Sequence, residues 1–292
     1  MKIGYVVTLF IDKGGQFYDT DIGMTRKCFE SLTYSDDVCL FIYNQGGLSE
    51  EEVHDLLKPY NLEYYILGSG VNVGIPKARY TIINHILTHY PEIQYIAEIH
   101  LDMIFMPNWH LPLVEFLQKN EDPMVCPRIV QGSDNNFTLQ DNNAKVQLSS
   151  DLKSKVNDIQ SFTEDKVINN FTNPVIYKAE ALRGVHYYDI GFLTGKQTYE
   201  DTSLLIAFRY YMGTRYNWVP RCYLKSCVYH QIEGQRLRVM TGEDASKNLM
   251  GMVQQFGAYG IEQWAIMDNN NFYWHDVYKS MIIDKDAYNS QP

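Results

Sequence analysis

YIAEIHLDMIFMPNW, Tyr95 to Trp109, reads as an apolar strand running into a Pro-Asn-Trp turn. Glu98, His100 and Asp102 interrupt it at every second position, which in an extended chain puts three polar side chains on one face. Clustering or burying such groups requires a compensating partner. The stretch therefore predicts a strand that ends in a site.

Outward from it, strands of buried type alternate with helices up to about Val130. IGYVVTLFI is an apolar first strand, Thr20 to Leu32 a helix, and DVCLFIYN a second strand ending at Asn44. Ser49 before Glu50, Glu51 and Glu52 has the features of a capped helix start, with carboxylates in the first turn. The helix EEVHDLLKPY leads to the strand LEYYILG, and Ile75 to His89 carries apolar residues at helical spacing. NWHLPLVEFLQ is a further helix and PMVCPRIV a further strand. This alternation predicts an α/β fold with a mostly parallel central sheet covered by helices on both faces. In such sheets ligands bind beyond the carboxyl ends of the strands, where Asn44 and Asp102 fall.

From Gln131 to Asn173 the composition turns to Asn, Asp, Ser, Gln and Lys, which predicts a long excursion of the lid or substrate-binding kind rather than sheet. Order returns with NPVIYKAEALRGV, a helical pattern from Thr202, and the strands YNWVP and YLKSCVYH. A helix is expected near Ala245 to Tyr259. The reading is one domain over residues 1–231, with halves 1–130 and 131–231, followed by a C-terminal extension, 232–292, packed on it.

The net charge of -10 and pI near 5.2 argue against a general nucleic-acid binder, which gains affinity by neutralising phosphates. Five cysteines form no CxxC pair, and an odd number fits free thiols in a reducing compartment; Cys222 and Cys227 read as core residues. The first residues, MKIGYVVTLF, lack a cleavage pattern, and no apolar run approaches the roughly 20 residues that cross a bilayer. A cytoplasmic protein without a transmembrane segment is expected, with peripheral action at a membrane still open.

Four constellations carry chemistry. His100 and Asp102 can hold a divalent cation, or simply hydrogen-bond to each other at a strand end. VNVGIPKARY, Val71 to Tyr80, places Gly74, Pro76, Lys77 and Arg79 at a strand-to-helix connection, suited to a phosphate or to an ordinary helix cap. Glu200 and Asp201 before a helix fit a general base or a helix-start preference. His230 ends a strand and is followed by a loop containing Gly234, Arg236 and Arg238.

Taken together, their order resembles the GT-A glycosyltransferases, most closely those of family 2. The stretch Asn72-Val73-Gly74-Ile75-Pro76-Lys77-Ala78-Arg79 matches that family's N-x-G-x-x-x-A-R. His100-Leu101-Asp102 followed by Pro107-Asn108-Trp109 matches its DxD and Pro-x-Trp, Glu200-Asp201 its E-D pair, and His230 its strand-end metal histidine. The similarity spans roughly Lys2 to Arg238, with His100 replacing the first acid of DxD.

The resemblance implies transfer of a sugar from a nucleotide diphosphate sugar, UDP favoured, to the hydroxyl of a saccharide, glycolipid or glycoprotein acceptor. It implies Mn²⁺ or Mg²⁺ held by Asp102 and His230, with His100 touching the metal or the nucleotide; Glu98 is not accounted for by the resemblance and is read as a supporting partner of His100. Asp201 is the expected base, oriented by Glu200, in an inverting reaction. Thr8 and Asn44 are expected near the nucleobase, and Asn72, Gly74, Lys77, Arg79, Arg236 and Arg238 near the rest of the nucleotide. Trp109 and Trp218 are candidate sugar platforms. The alternatives are a non-catalytic nucleotide- or carbohydrate-binding protein on the same fold, or a nucleotidyltransferase. Lys13-Gly14-Gly15 is a poor triphosphate loop, and no GxGxxG follows the first strand, which removes a dinucleotide-dependent dehydrogenase.

Overall fold

A computed structural model describes residues 2–133, 136–213, 217–231, 241–268 and 273–280. β1 (Ile3–Leu9) is buried on both faces, as its unbroken apolar sequence requires. It pairs in parallel with β2 (Val38–Asn44) on one side and β4 (Tyr95–Ile99) on the other, and β3 (Glu63–Leu67) continues beyond β2. The chain thus runs outward from β1 to β3, then returns through the helix α3 (Ile75–His89) to the opposite flank of β1. That reversal opens a crevice at the carboxyl ends of β1 and β4.

The sheet extends in the order β3-β2-β1-β4-β10-β6-β11-β5, where β10 is Val175–Lys178, β6 Met124–Ser133, β11 Arg221–His230 and β5 Met103–Phe105. β10 runs antiparallel to both neighbours, β11 is parallel to β6, and β5 is antiparallel to β11. Side chains alternate between two cores along each strand: Leu40 and Ile42 face one, Cys39 and Phe41 the other. The first core is closed by α1 (Tyr18–Leu32), α2 (Glu50–Leu57), α4 (His110–Lys119) and α5 (Leu152–Ser161). The second is closed by α3, α6 (Ala179–Val185), α7 (Glu200–Tyr211) and α8 (Gly242–Met267), which supplies Met252, Ile261 and Ala265. All five cysteines are free and buried. No helix of the described residues is long and apolar enough to cross a membrane.

Four sequence expectations change. Tyr95–Trp109 is not one strand: β4 stops at Ile99, a turn takes up His100 to Asp102, and β5 leaves in a new direction to pair with β11. Residues 131–173 are not a bare excursion. β6 continues to Ser133 and joins β7 (Asn136–Leu139) and β8 (Lys145–Val146), α5 follows, and β9 (Val167–Asn169) pairs with β11. Polar composition hid this because Arg128 supplies the anchor that apolar residues do not. Its buried guanidinium donates to both Asp141 carboxylate oxygens at 2.8 Å and to Phe162 O at 2.6 Å, with Glu164 at 3.3 Å. Residues 217–220 of YNWVP form no strand. α8 runs well past Tyr259, with a kink at Gly257, φ 68°.

The Arg128 clasp gives a stability test. Asp141→Ala strands a buried cation that keeps only one nearby carboxylate, and is expected to cost about 2–3 kcal/mol, short of the full loss for an isolated buried ion pair. Urea unfolding measures it. A cost near zero would mean that the insertion is held by its apolar contacts alone.

Candidate active site

The crevice forms an open cleft whose empty space, counted to its mouth, is about 960 Å³. Its walls come from the β1 end (Thr8, Phe10), α1 (Asp21, Met24, Thr25), Gln45, the α3 entry (Asn72, Gly74, Ile75, Arg79), the β4 turn (His100, Leu101, Asp102) and the segment Lys196 to Asp201.

Arg79 organises the centre. It is 2% exposed and lies between Glu98 Oε1 at 2.8 Å and Asp201 Oδ1 at 2.7 Å, with Glu200 Oε1 at 3.8 Å. Tyr188 donates its hydroxyl to Glu98 at 2.7 Å, and Asn173 donates its amide to Asp201 Oδ2 at 3.0 Å. Burial nevertheless pushes the Glu98 carboxyl up to about 7, against the pull of Arg79. Glu98, expected beside His100, reaches it only through Arg79, whose Nη2 lies 3.1 Å from His100 Nε2. A guanidinium can only donate, so His100 Nε2 accepts and Nδ1 carries the proton. Burial first, and Arg79 second, hold the His100 pKa well below the ordinary imidazole range, so the ring is neutral.

The turn after β4 brings Asp102 beside His230, with 3.3 Å between Asp102 Oδ1 and His230 Nε2. Pairing of His230 with Met103 across β5 and β11, and the bond from Gln231 N to Asp102 O at 3.0 Å, fix that approach. His100, Asp102 and His230 present ligand atoms within 4.8 Å of one another. Burial raises the Asp102 carboxyl, but His230 and His100 outweigh it and hold it below its usual range. Asp102 Oδ1 is buried without a well-formed hydrogen bond, and the carboxylate and imidazole donors suit a divalent cation, so these residues fit a metal. Of the three, His100 has its Nε2 engaged by Arg79, whereas Asp102 and His230 face each other.

The phosphate expectation at the α3 entry is realised differently. Asn72 caps its own turn by accepting from Gly74 N at 3.0 Å, and Ile75 N donates to Lys196 O at 2.6 Å. Pro76 has no N–H to offer, so protein already occupies this helix start. Gly74, φ 86°, is required because a Cβ there would sit 2.6 Å from Lys196 Cα. Lys77 is exposed and does not line the cleft. Thr8 lines it, but the buried Asn44 is spent on its turn, donating to Leu48 O and accepting from Gly46 N, both at 3.0 Å. Gln45, one residue on, lines the cleft instead. Trp109 and Trp218 are buried packing residues, Trp218 donating to Asp122 at 3.1 Å, so neither offers a face to a sugar. Arg236 and Arg238 lie outside the described residues.

Sequence reasoning missed Gln45, Thr25, Lys196 and Gln197. Thr25 and Gln45, 1% and 5% exposed, line the cleft, and their buried Oγ1 and Oε1 have no hydrogen-bond partner among the described residues. Buried polar atoms of this kind are costly unless a ligand meets them. Only the helical spacing of Asp21 and Thr25 carried a signal, and it does not distinguish a cleft wall from a solvated face.

Arg79→Met removes the countercharge of buried Glu98 and is expected to destabilise by about 3–5 kcal/mol, with partial recovery on adding Glu98→Gln. The loss is expected to grow as pH rises above about 7, where the parent ionises Glu98 beside Arg79 but the variant, lacking the cation, still holds it protonated against an ionised unfolded chain. Urea unfolding of the single and double variants between pH 5 and 8 reads both effects. A pH-independent loss would assign Arg79 a packing role.

No protein-family description matches the sequence, and no curated protein does. Solved structures do resemble the fold. Residues 1–349 of S. aureus TarS in complex with UDP superpose over 94% of this chain and 72% of that one, at 12% identity and TM-score 0.57. The UDP-GlcNAc complex of the same TarS fragment gives 94% and 73%, again at 12% identity and TM-score 0.57. S. aureus TarS itself matches over 93% of this chain and 44% of its own, at TM-score 0.54. With its mostly parallel sheet, helices on both faces and cleft at the carboxyl ends of β1 and β4, the chain has the GT-A glycosyltransferase fold.

Proposed function

We propose that the protein transfers a sugar from a nucleoside diphosphate sugar, UDP-linked by preference, to an acceptor hydroxyl. The observation that carries this reading is that one cleft is lined both by Asp102, which meets His230, and by the Glu200–Asp201 pair. A leaving diphosphate and an attacking hydroxyl need those two poles. The neighbouring fold's complexes with UDP and UDP-GlcNAc support the choice of donor.

In this reading Asp102 Oδ1 and His230 Nε2 hold a divalent ion, which when bound offsets charge on the departing diphosphate. His100, neutral with its proton on Nδ1, donates to the nucleotide. Thr25 and Gln45 meet polar atoms of the nucleoside. Asp201 takes the proton of the acceptor hydroxyl on Oδ2 as the new bond to the anomeric carbon forms and the bond to the diphosphate oxygen breaks. Arg79 on Oδ1 and Asn173 on Oδ2 fix the carboxylate, and Glu200 sits one residue before it to meet the acceptor. The stereochemical outcome proposed is inversion, since one base and direct attack suffice.

Binding of UDP, GDP, dTDP, ADP and NAD, followed by thermal unfolding with and without Mn²⁺, tests the donor class. UDP is expected to stabilise the protein, and more so with Mn²⁺. Asp102→Asn should remove the Mn²⁺-dependent part; an unchanged UDP response would take Asp102 out of the metal role. Asp201→Asn should keep UDP binding while slowing UDP release from UDP-GlcNAc by about 10²-fold or more. Parent-like turnover in that variant would place the base elsewhere.

A further inference from the structure

Two cationic side chains, Arg79 and Lys196, line the cleft among the described residues. Arg79 is committed to Glu98, Asp201 and Glu200. Asp21, Asp102, Glu200 and Asp201 share the walls, so the lining carries more carboxylates than cations. Lys196, by contrast, is an exposed residue of the lining; its charge is felt by Asp244, but it forms no ion pair within 4 Å among the described residues.

The backbone that carries Lys196 is fixed far more firmly than a surface loop needs to be. Its carbonyl accepts from Ile75 N at 2.6 Å, and its N–H donates to Asp244 Oδ1 at 2.9 Å. Asn248 of α8, 0% exposed, accepts from Gly195 N at 2.7 Å. Its amide donates to the carbonyls of Gly195 at 3.3 Å, Gln197 at 3.2 Å and Thr198 at 2.8 Å. Gly195 is required by the same approach, since a Cβ would sit 2.2 Å from Asp244 O. Thr198 and Tyr199 follow at φ 84° and 65°, consecutive left-handed residues that cost energy without glycine and turn the chain into Glu200. One buried amide thus satisfies four backbone groups of a strained loop that carries an exposed lysine in the cleft lining.

We infer that Lys196 is the phosphate-binding cation of the cleft, and that Asn248 is the residue of α8 that positions it. The inference rests on the nucleoside diphosphate reading above. A diphosphate entering a lining dominated by carboxylates needs a cation besides the metal, and the flexible four-carbon stem of lysine lets Nζ follow the phosphate without moving the clamped backbone.

The test is calorimetric titration of the purified full chain with UDP, UMP and uridine in Mn²⁺ buffer. Lys196→Met is expected to weaken UDP by about tenfold or more, the scale of a charge-assisted hydrogen bond, while uridine is unaffected. Lys196→Arg should stay within a few-fold of the parent, and added KCl should narrow the gap between parent and Lys196→Met. Asn248→Ala should also weaken UDP, and should add little to Lys196→Met because the two act on one contact. Parent-like UDP affinity in Lys196→Met, with the parent binding UDP, overturns the Lys196 assignment and leaves the donor reading standing. Failure of the parent to bind any nucleoside diphosphate overturns the donor reading and this inference with it. Weakening of uridine and UDP alike would overturn the phosphate assignment by showing a general loss of the cleft.

Discussion

A single buried guanidinium holds the functional end of this molecule together. Arg79 comes from α3, Glu98 from β4 and the Glu200–Asp201 pair from the start of α7, three elements separated by as many as 122 residues. None of the three carboxylates would tolerate this depth alone, and the guanidinium would not tolerate it without them. The cost of burying these charges is met only when α3, β4 and α7 take one mutual arrangement. That arrangement also orients His100, because Arg79 Nη2 claims its Nε2. The tautomer of the residue that replaces the first DxD acid is thereby set by a partner 21 positions earlier in the chain.

The sheet was legible because its signals are local. Two-sided burial makes β1 and β2 continuous apolar runs, and Ser49 with Glu52 forms the capping box that its spacing announces. His100, Asp102, His230, Glu200 and Asp201 were legible as a set through the resemblance, although the first two were expected to alternate along a strand. They meet because β4 ends at Ile99 and the chain turns, an effect of β5 pairing with β11 that no periodicity within Tyr95–Trp109 encodes. The insertion was misread for a related reason: Arg128 and Asp141 supply its order, and polar composition alone says nothing of a bidentate pair.

What the sequence concealed at the site was mostly a matter of which neighbour faces the cleft. Asn44 and Gln45 are adjacent and chemically alike, yet one amide is consumed by its own turn and the other belongs to the cleft lining with a buried, partnerless oxygen. Arg79 and Lys77 both sit near a helix start, where either suggests a phosphate contact, but one is locked among carboxylates and the other points away. In both pairs the deciding quantity is a long-range contact, and residue type carries no trace of it.

α8 bears directly on the geometry of the cleft. An asparagine that is 0% exposed pays a desolvation cost that four backbone bonds offset only if the loop is in place. The loop in turn reaches the α3 entry through Ile75 N, and that close approach is possible because Gly74 lacks a side chain. Strain at Thr198 and Tyr199 is therefore held between two fixed points, α8 outside and α3 inside, with Glu200 and Asp201 starting a helix immediately beyond it. A loop held in this way cannot relax without releasing Asp201 from Arg79 as well. The geometry of the Glu200–Asp201 pair and the placement of Lys196 are consequently one constraint, set jointly by a helix that packs on α7 and by the ion cluster beneath it.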